Sequence, residues 1–410
     1  MLLGLLAGCN VPGPAPEPLS DAQVARIHDS AWVFDAHVDV VMPDTAPNLV
    51  GPDGLSKVSL PRLKAGGVDA VAMALAVSPG PRTPEGGQAA MRAARAKLQE
   101  VMRLIAASDE EIVLATSADS LVAAHEAGKK AILLSFQNAR ALAGEPKNVD
   151  SFYDDGVRIF ALTHLGHNDF ADSSRPLYLS DQKRYEPTEE HQGLSALGRA
   201  AIARINALGA VVDVSQLSKA ATLAAIEAST TPVIASHSNV RALSDVSRNL
   251  SDEEIDRIGA TGGVIHVAPF GAYLVAQSDP ELIGRIKAAR RAAGLPQAYS
   301  YPYELYWELP DAQAKMKFLT SVRDVLGPAD VERLVDHIDY IVQRIGIDHV
   351  GIGTDFNHGS SIDGFDDASE APNVTRALLN RGYSVAQVWQ IWGGNFLRVL
   401  RAAQHARGMP

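Results

Sequence analysis

Cysteine is almost missing from this chain: Cys9 is the only one in 410 residues. That excludes internal disulfides, thiolate metal clusters and a cysteine nucleophile anywhere else. Basic charge is also scarce. With 37 Lys and Arg against 48 Asp and Glu, the formal charge is -11, and no basic cluster offsets it, so nucleic acid is not an expected partner. No apolar run is long enough to span a bilayer. No Gly-x-Gly-x-x-Gly follows the first candidate strand, which argues against the dinucleotide-binding form of a doubly wound sheet. What remains is an ordinary globular composition, 46% hydrophobic and 21% charged, able to build a large core. The length fits two domains or one long barrel.

The surroundings of Cys9 are informative. Leu6-Ala7-Gly8-Cys9 follows a short apolar stretch and resembles a bacterial lipoprotein signal, in which the cysteine is lipidated. The Pro-rich stretch from Val11 to Pro18 then reads as an extended tether. On this reading residues 1–29 are signal and tether, and the protein sits in the bacterial cell envelope, periplasmic or lipid-anchored through Cys9. The first basic residue is Arg26, so the charged start of a signal peptide is missing. The alternative is a lone cysteine on a cytoplasmic tail.

From about residue 30, short β-branched apolar runs alternate with helical stretches, the pattern of βα units and a parallel sheet. Eight strands are expected: Trp32 to Val38, Val68 to Val77, Ala131 to Phe136, Val157 to Thr163, Ala210 to Val214, Pro232 to Ser236, Gly263 to Ala268 and His349 to Thr354. Helices are expected between them, among others over Gln88 to Ala107, Leu194 to Leu208, Ala220 to Ala228 and Asp252 to Ile258. Eight units predict an α/β protein of the (β/α)8 TIM-barrel type over residues 30–402, with a tail at 403–410. Two stretches break the alternation: a polar loop from Gly166 to Gln192 after strand four, and an insertion around 270–327 after strand seven. In a barrel both emerge on the C-terminal face, where active sites are built.

Polar side chains recur where those strands end. Asp39, Gln137, His164, Gln216, His237 and Asp355 each terminate an apolar run, and in a barrel such ends converge on one bowl. His37 and Asp39, two apart on a strand, share a face and suit a single cation. Strands one and eight become neighbours on closure, which brings Asp355 to them as a ligand or as the base for bound water. A cation lowers the pKa of its water toward neutrality, so hydroxide becomes available to attack a carbonyl. His266, inside strand seven, reads as core. His28, His125, His191, His337, His349, His358 and His405 read as structural or solvent-facing.

The residues then match a family. Asp35-Ala36-His37-Val38-Asp39, the stretch from Leu60 to Val68, Leu162-Thr163-His164 with Asn168 and Ala171-Asp172, Ser236-His237-Ser238, Ser247-Arg248-Asn249, the stretch from Gly351 to Phe356 and Gly393-Gly394-Asn395 resemble the renal or membrane dipeptidase family, peptidase family M19. The match runs in order from about residue 30 to 400. The resemblance implies a two-zinc amidohydrolase-type barrel that hydrolyses dipeptides, often with a D-residue at the C-terminal position, and a homodimer is common in the family. It implies His37, Asp39 and Asp355 on the first metal, with Asp355 also handling the proton, and His237 on the second. His164 and Asn168 would bind substrate, His164 at its carbonyl or oxyanion, and Arg248 would pair with the free carboxylate, which a bidentate guanidinium fits.

Two positions depart from that pattern. Gln137 stands where the family has a metal-bridging glutamate, and Gln216 where it has the second metal's other histidine. Two divalent ions about 3.5 Å apart repel by roughly 20 kcal/mol at an effective dielectric of about 20, and a shared carboxylate is a major compensation. Glutamine offers no charge. His237 alone falls short of the usual three ligands. The expectation is one zinc held by His37, Asp39 and Asp355, with Gln137 or His237 completing the shell, and no paired centre. The leading reading is a dipeptidase-like hydrolase acting on a small peptide or amide with a free carboxylate. The alternatives are a non-catalytic or metal-free homologue acting as a peptide-binding or accessory protein, and a tailoring enzyme on peptide-derived products.

Overall fold

A computed structural model describes residues 19–407. Eight strands follow in chain order: β1 (Phe34–Asp39), β2 (Ala70–Ala76), β3 (Lys130–Gln137), β4 (Val157–Ala161), β5 (Val211–Asp213), β6 (Ile234–Ala235), β7 (Val264–Val267) and β8 (Val350–Ile352). Each pairs in parallel with the next. The ring closes where the Asp39 N–H donates to the Phe356 carbonyl at 2.9 Å and the Asp355 N–H to the His37 carbonyl at 2.8 Å. The result is a nearly closed (β/α)8 barrel, and all eight expected strands are present.

One strand of the main sheet was not expected from the sequence. Ile112–Ala115 pairs with the first half of β3, below the point where β4 takes over that edge at Leu134. Several helices outside the barrel start on side-chain caps, as their sequences dictate. Thr83 accepts from the Gly86 N–H ahead of Pro84–Ala106, Ser195 from Gly198 ahead of Ala196–Leu208, and Ser218 from Ala221 ahead of Lys219–Ala228. Ser251 and Glu254 form a capping box on Asp252–Ala260. Among the described residues no helix is long and apolar enough to cross a membrane.

The strand interior explains where the chemistry sits. Alternate residues share a face, and along β3 those are Ala131, Leu133, Ser135 and Gln137. The first two belong to an apolar cluster with Phe34, Ile159, Val211, Ile234 and Val264, closed off by Phe396 and Leu400 of the helix Asn395–His405. Two residues further along the same faces come Ser135, Asp213, Ser236 and His266, all buried. The barrel therefore changes from apolar to polar along its length, and its polar end is the C-terminal end of the strands. Space there is tight: a Cβ on Gly353 would lie 1.9 Å from the Ser236 carbonyl oxygen, and one on Gly351 2.4 Å from the His266 ring.

Two boundaries differ from the sequence expectation. Residues 21–29, assigned to the tether, include a helix, Asp21–Asp29, whose Val24 and His28 are buried. His28 Nδ1 lies 2.7 Å from Thr375 Oγ1, so this segment packs on the barrel. At the other end the helix Asn395–His405 buries Ala403, so the barrel's last helix occupies positions assigned to a tail. Cys9 and the stretch from Val11 to Pro18 lie outside the described residues.

The insertion after β7 is a small subdomain. Gly271–Leu274, Pro280–Ala292 and Ala312–Leu326 are helical and share a core of Phe270, Tyr273, Ile286, Tyr301, Phe318 and Val322. The loop after β4 carries a two-stranded ribbon, Tyr178–Leu179 with Arg184–Tyr185. The two are tied together by the Tyr185 hydroxyl, which donates to Glu304 at 3.0 Å. Both rise over the C-terminal face.

Candidate metal centre and substrate bowl

His37, His237 and Asp355 each present a ligand atom within 4.8 Å of the others, and all three residues are buried. His37 Nε2 lies 3.8 Å from Asp355 Oδ1 and 4.0 Å from Asp39 Oδ1. The His37 and His237 rings stack at 3.8 Å. His37 Nε2 and Asp39 Oδ1 are buried and have no hydrogen-bond partner. Unsatisfied buried polar atoms are costly and call for a partner. Three ligating groups converge with Asp39 beside His37, two of their atoms are orphaned, and a donor set of two imidazoles and two carboxylates suits a divalent metal ion.

The supporting hydrogen bonds orient these ligands. Ser236 Oγ lies 2.8 Å from His237 Nδ1 and donates to Asp213 Oδ2. An Nδ1–H on His237 directed at that oxygen puts the acceptor lone pair on Nε2, as in a metal-binding histidine, and the Gln216 amide Nε2 lies 3.2 Å from it. Asp39 Oδ2 accepts from His358 Nδ1 at 2.6 Å, which leaves Oδ1 free. Asp35 accepts from the Thr354 N–H at 2.7 Å and the Thr354 hydroxyl at 2.6 Å, sewing β1 to the end of β8. Asp355 holds a left-handed backbone, φ 57°, and Gln216 another, φ 66°. Strain of this kind in residues without glycine's freedom is typical of functional sites.

Burial sets the protonation of the bowl. Desolvation drives His164 and His237 well below the ordinary histidine range, with the neighbouring His358 and His37 adding to it, so both rings are neutral at pH 7. His37 is also lowered by burial, against the pull of Asp355 and Asp39. The Asp355 carboxyl is pushed up by burial. Burial acts the same way on Asp39, but the charge of His358 and its hydrogen bond prevail and hold that carboxyl well below the usual range. In return Asp39 raises His358 against desolvation. Asp35, despite its hydrogen bonds, is pushed up by burial to about 7.

Of the other residues expected here, Gln137 ends β3 with its side chain buried and Nε2 unpartnered. Gln216 Nε2 lies 3.2 Å from His237 Nε2, and its Oε1 has no partner. His164 follows β4, with its ring edge-on to His358 at 5.2 Å and Nδ1 free. Arg248 is buried, and its guanidinium donates to the Ser238 hydroxyl at 3.1 Å and to the His237 carbonyl. Asn168 is engaged differently from the expected substrate contact. Its Nδ2 donates to Leu162 and Asn138, and its Oδ1 accepts from Phe170 and Ala171, so its amide braces the loop after β4. His266 is core, as expected, with Nδ1 3.1 Å from the Ala235 carbonyl oxygen.

Two residues of the bowl were missed. His358 was read as structural or solvent-facing, yet it grips Asp39. Its position three residues after Asp355, in the loop leaving β8, was the available signal. Arg175 sits in the loop after β4, buried, with its guanidinium 4.5 Å over the Tyr301 ring. No spacing in that loop pointed to it. Beside His358 the insertion encloses a cavity of about 400 Å³, lined among others by Phe270, Tyr301, Tyr303, Tyr306 and Met316.

This geometry has counterparts. A family model described as membrane dipeptidase, peptidase family M19, matches residues 21–409. "Dipeptidase tcpJ" of Claviceps purpurea is 29% identical over 77% of this chain and 61% of its own, and "Dipeptidase aclJ" of Aspergillus oryzae 30% identical over 68% and 53%. The chain thus spans between half and two thirds of the length of these curated relatives. A probable dipeptidase, PvdM from Pseudomonas aeruginosa, superposes with a TM-score of 0.81 at 33% identity, covering 94% of this chain and 98% of that one. A metallopeptidase from Rhodobacter sphaeroides, solved with a phosphinate mimic of L-Ala-D-Ala, shares the fold at a TM-score of 0.69 and 20% identity, covering 90% and 99%. Matched along nearly its whole described length, the chain belongs to the membrane dipeptidase family, peptidase family M19.

Proposed function

We propose that the protein is a dipeptidase-like metallohydrolase that cleaves the amide bond of a dipeptide, or of a related small amide with a free carboxylate, using one zinc ion. The observation that carries this reading is the pair of orphaned atoms, His37 Nε2 and Asp39 Oδ1, facing Asp355 and His237 in a buried bowl. His37, Asp39, Asp355 and His237 would hold the ion. Bound there, it supplies Lewis acidity and a water of lowered pKa. The family's second ion is not expected to be held, because Gln137 and Gln216 bring neutral amides where that ion needs a carboxylate and an imidazole.

The chain's own groups supply the rest. Asp355, beside His37 at the metal position, is suited to accept a proton and return it to the leaving amine. His164, neutral and with a free Nδ1, is placed to donate a hydrogen bond to the oxygen of the scissile carbonyl. Arg248 offers a fixed guanidinium to the substrate's free carboxylate. The insertion and the loop after β4 cover the bowl and exclude bulk water.

A panel of dipeptides, L,L and L,D, tests the reading. Hydrolysis that is lost on chelation and restored by zinc is expected. No turnover of any member by zinc-loaded protein would refute it. We also propose a cell-envelope location with a lipid on Cys9; labelled palmitate incorporated by the natural sequence and not by Cys9→Ser is the expected result.

A further inference from the structure

Positive charge inside a protein is costly unless carboxylates or strong hydrogen bonds offset it. Arg175 and Arg248 are 4% and 3% exposed. Among the described residues neither guanidinium has a carboxylate within the 4.0 Å of an ion pair. Arg248 is partly satisfied by Ser238 and the His237 carbonyl. Arg175 is not. Its guanidinium has one side-chain partner, the Tyr273 hydroxyl at 3.5 Å, the outer limit of a hydrogen bond, and its Nε has none. Tyr273 is common to both, since the Arg248 guanidinium lies 5.6 Å from its ring.

The carboxylates that act on these two arginines from further away are already engaged. They are Asp355, Glu304 and Asp213. Asp355 faces His37. Glu304 accepts from the Ser300 N–H, the Ser300 hydroxyl and Tyr185. Asp213 accepts from Ser215 and Ser236. Two buried cations thus adjoin the bowl, and a dipeptide's terminal carboxylate brings one negative charge against their two.

We propose that Arg175 reads a second anionic group, so that the site takes an acidic dipeptide: its terminal carboxylate on Arg248 and an Asp or Glu side chain on Arg175. This rests on the hydrolase reading given above. The closing experiment compares Ala-Glu with Ala-Gln and Glu-Ala with Gln-Ala, near-isosteric pairs that differ by one charge. Each pair is compared by kcat/KM where it is hydrolysed and by calorimetric Kd where it is not.

The acid is expected to be favoured by roughly 10- to 100-fold in at least one pair, the range of a buried charge-assisted hydrogen bond. Arg175→Met is expected to erase that ratio, and Arg175→Lys to keep part of it. Equal treatment of acid and amide by the unaltered protein overturns the proposal, and that comparison needs no variant to fold. It is equally overturned if the ratio survives in Arg175→Met, or if that variant loses both peptides alike, which would place Arg175 on the terminal carboxylate. If no peptide is hydrolysed but the Glu-over-Gln ratio appears in Kd and depends on Arg175, the hydrolase reading fails and the role of Arg175 stands.

Discussion

Replacing Gln137 by Glu and Gln216 by His together is predicted to raise the zinc bound per chain from about one ion to about two. The structure sets the size of the effect. Both glutamines are buried with unpartnered atoms, and Gln216 already touches His237, so the new side chains take up existing space. The ligand atoms of His37, His237 and Asp355 lie within 4.8 Å of one another. A new carboxylate about 5 Å from an existing one would cost about 3 kcal/mol per pair at an effective dielectric of about 20. The metal-free double variant should therefore melt lower than the parent, by roughly 5–10 °C. Zinc at about 100 times its Kd returns about 2.7 kcal/mol per site, so the variant should gain more from zinc than the parent does. Elemental analysis after dialysis, with melting curves with and without zinc, reads both effects. A folded double variant that still holds one ion, and melts no lower without it, would refute the reasoning.

Other consequences follow from particular contacts. His358→Gln removes the imidazole that orients Asp39 and should weaken zinc binding by about 10- to 100-fold in a chelator competition; unchanged affinity would deny His358 that role. Gly353→Ala forces a Cβ against the Ser236 carbonyl and should cost about 1–3 kcal/mol of stability in urea unfolding, whereas a neutral result would mean the strands can separate freely there. Burial lowers His266 and His337 to about 4. Because their folded pKa lies below the unfolded value, the stability they lend is complete above pH 6.5 and is lost as the pH falls from 6.5 toward 4, about 3 kcal/mol for each. His337→Gln should flatten that part of the urea-stability profile, and an unchanged slope would contradict the assignment.

The barrel was legible because its strands are buried on both faces and read as continuous apolar runs. Ile112–Ala115 escaped because it is short and adds to the start of β3 without making a new βα unit. The placement of His37, Asp39, His237 and Asp355 in one bowl was readable from a topological rule: strand ends converge, and first and last strands meet. Arg175 and His358 were not singled out, and the bracing role of the Asn168 amide was not foreseen, because they lie in loops, where no periodicity fixes direction. The polar layer of Ser135, Asp213, Ser236 and His266 lies at different distances from the ends of its strands and is visible only once the strands are in register.

The central claim is that this bowl holds one ion. Native mass spectrometry of the zinc-saturated, dialysed protein tests it most directly. The account predicts a mass increment of one zinc per chain, lost in His37→Ala. Two ions per chain would contradict it, and so would none.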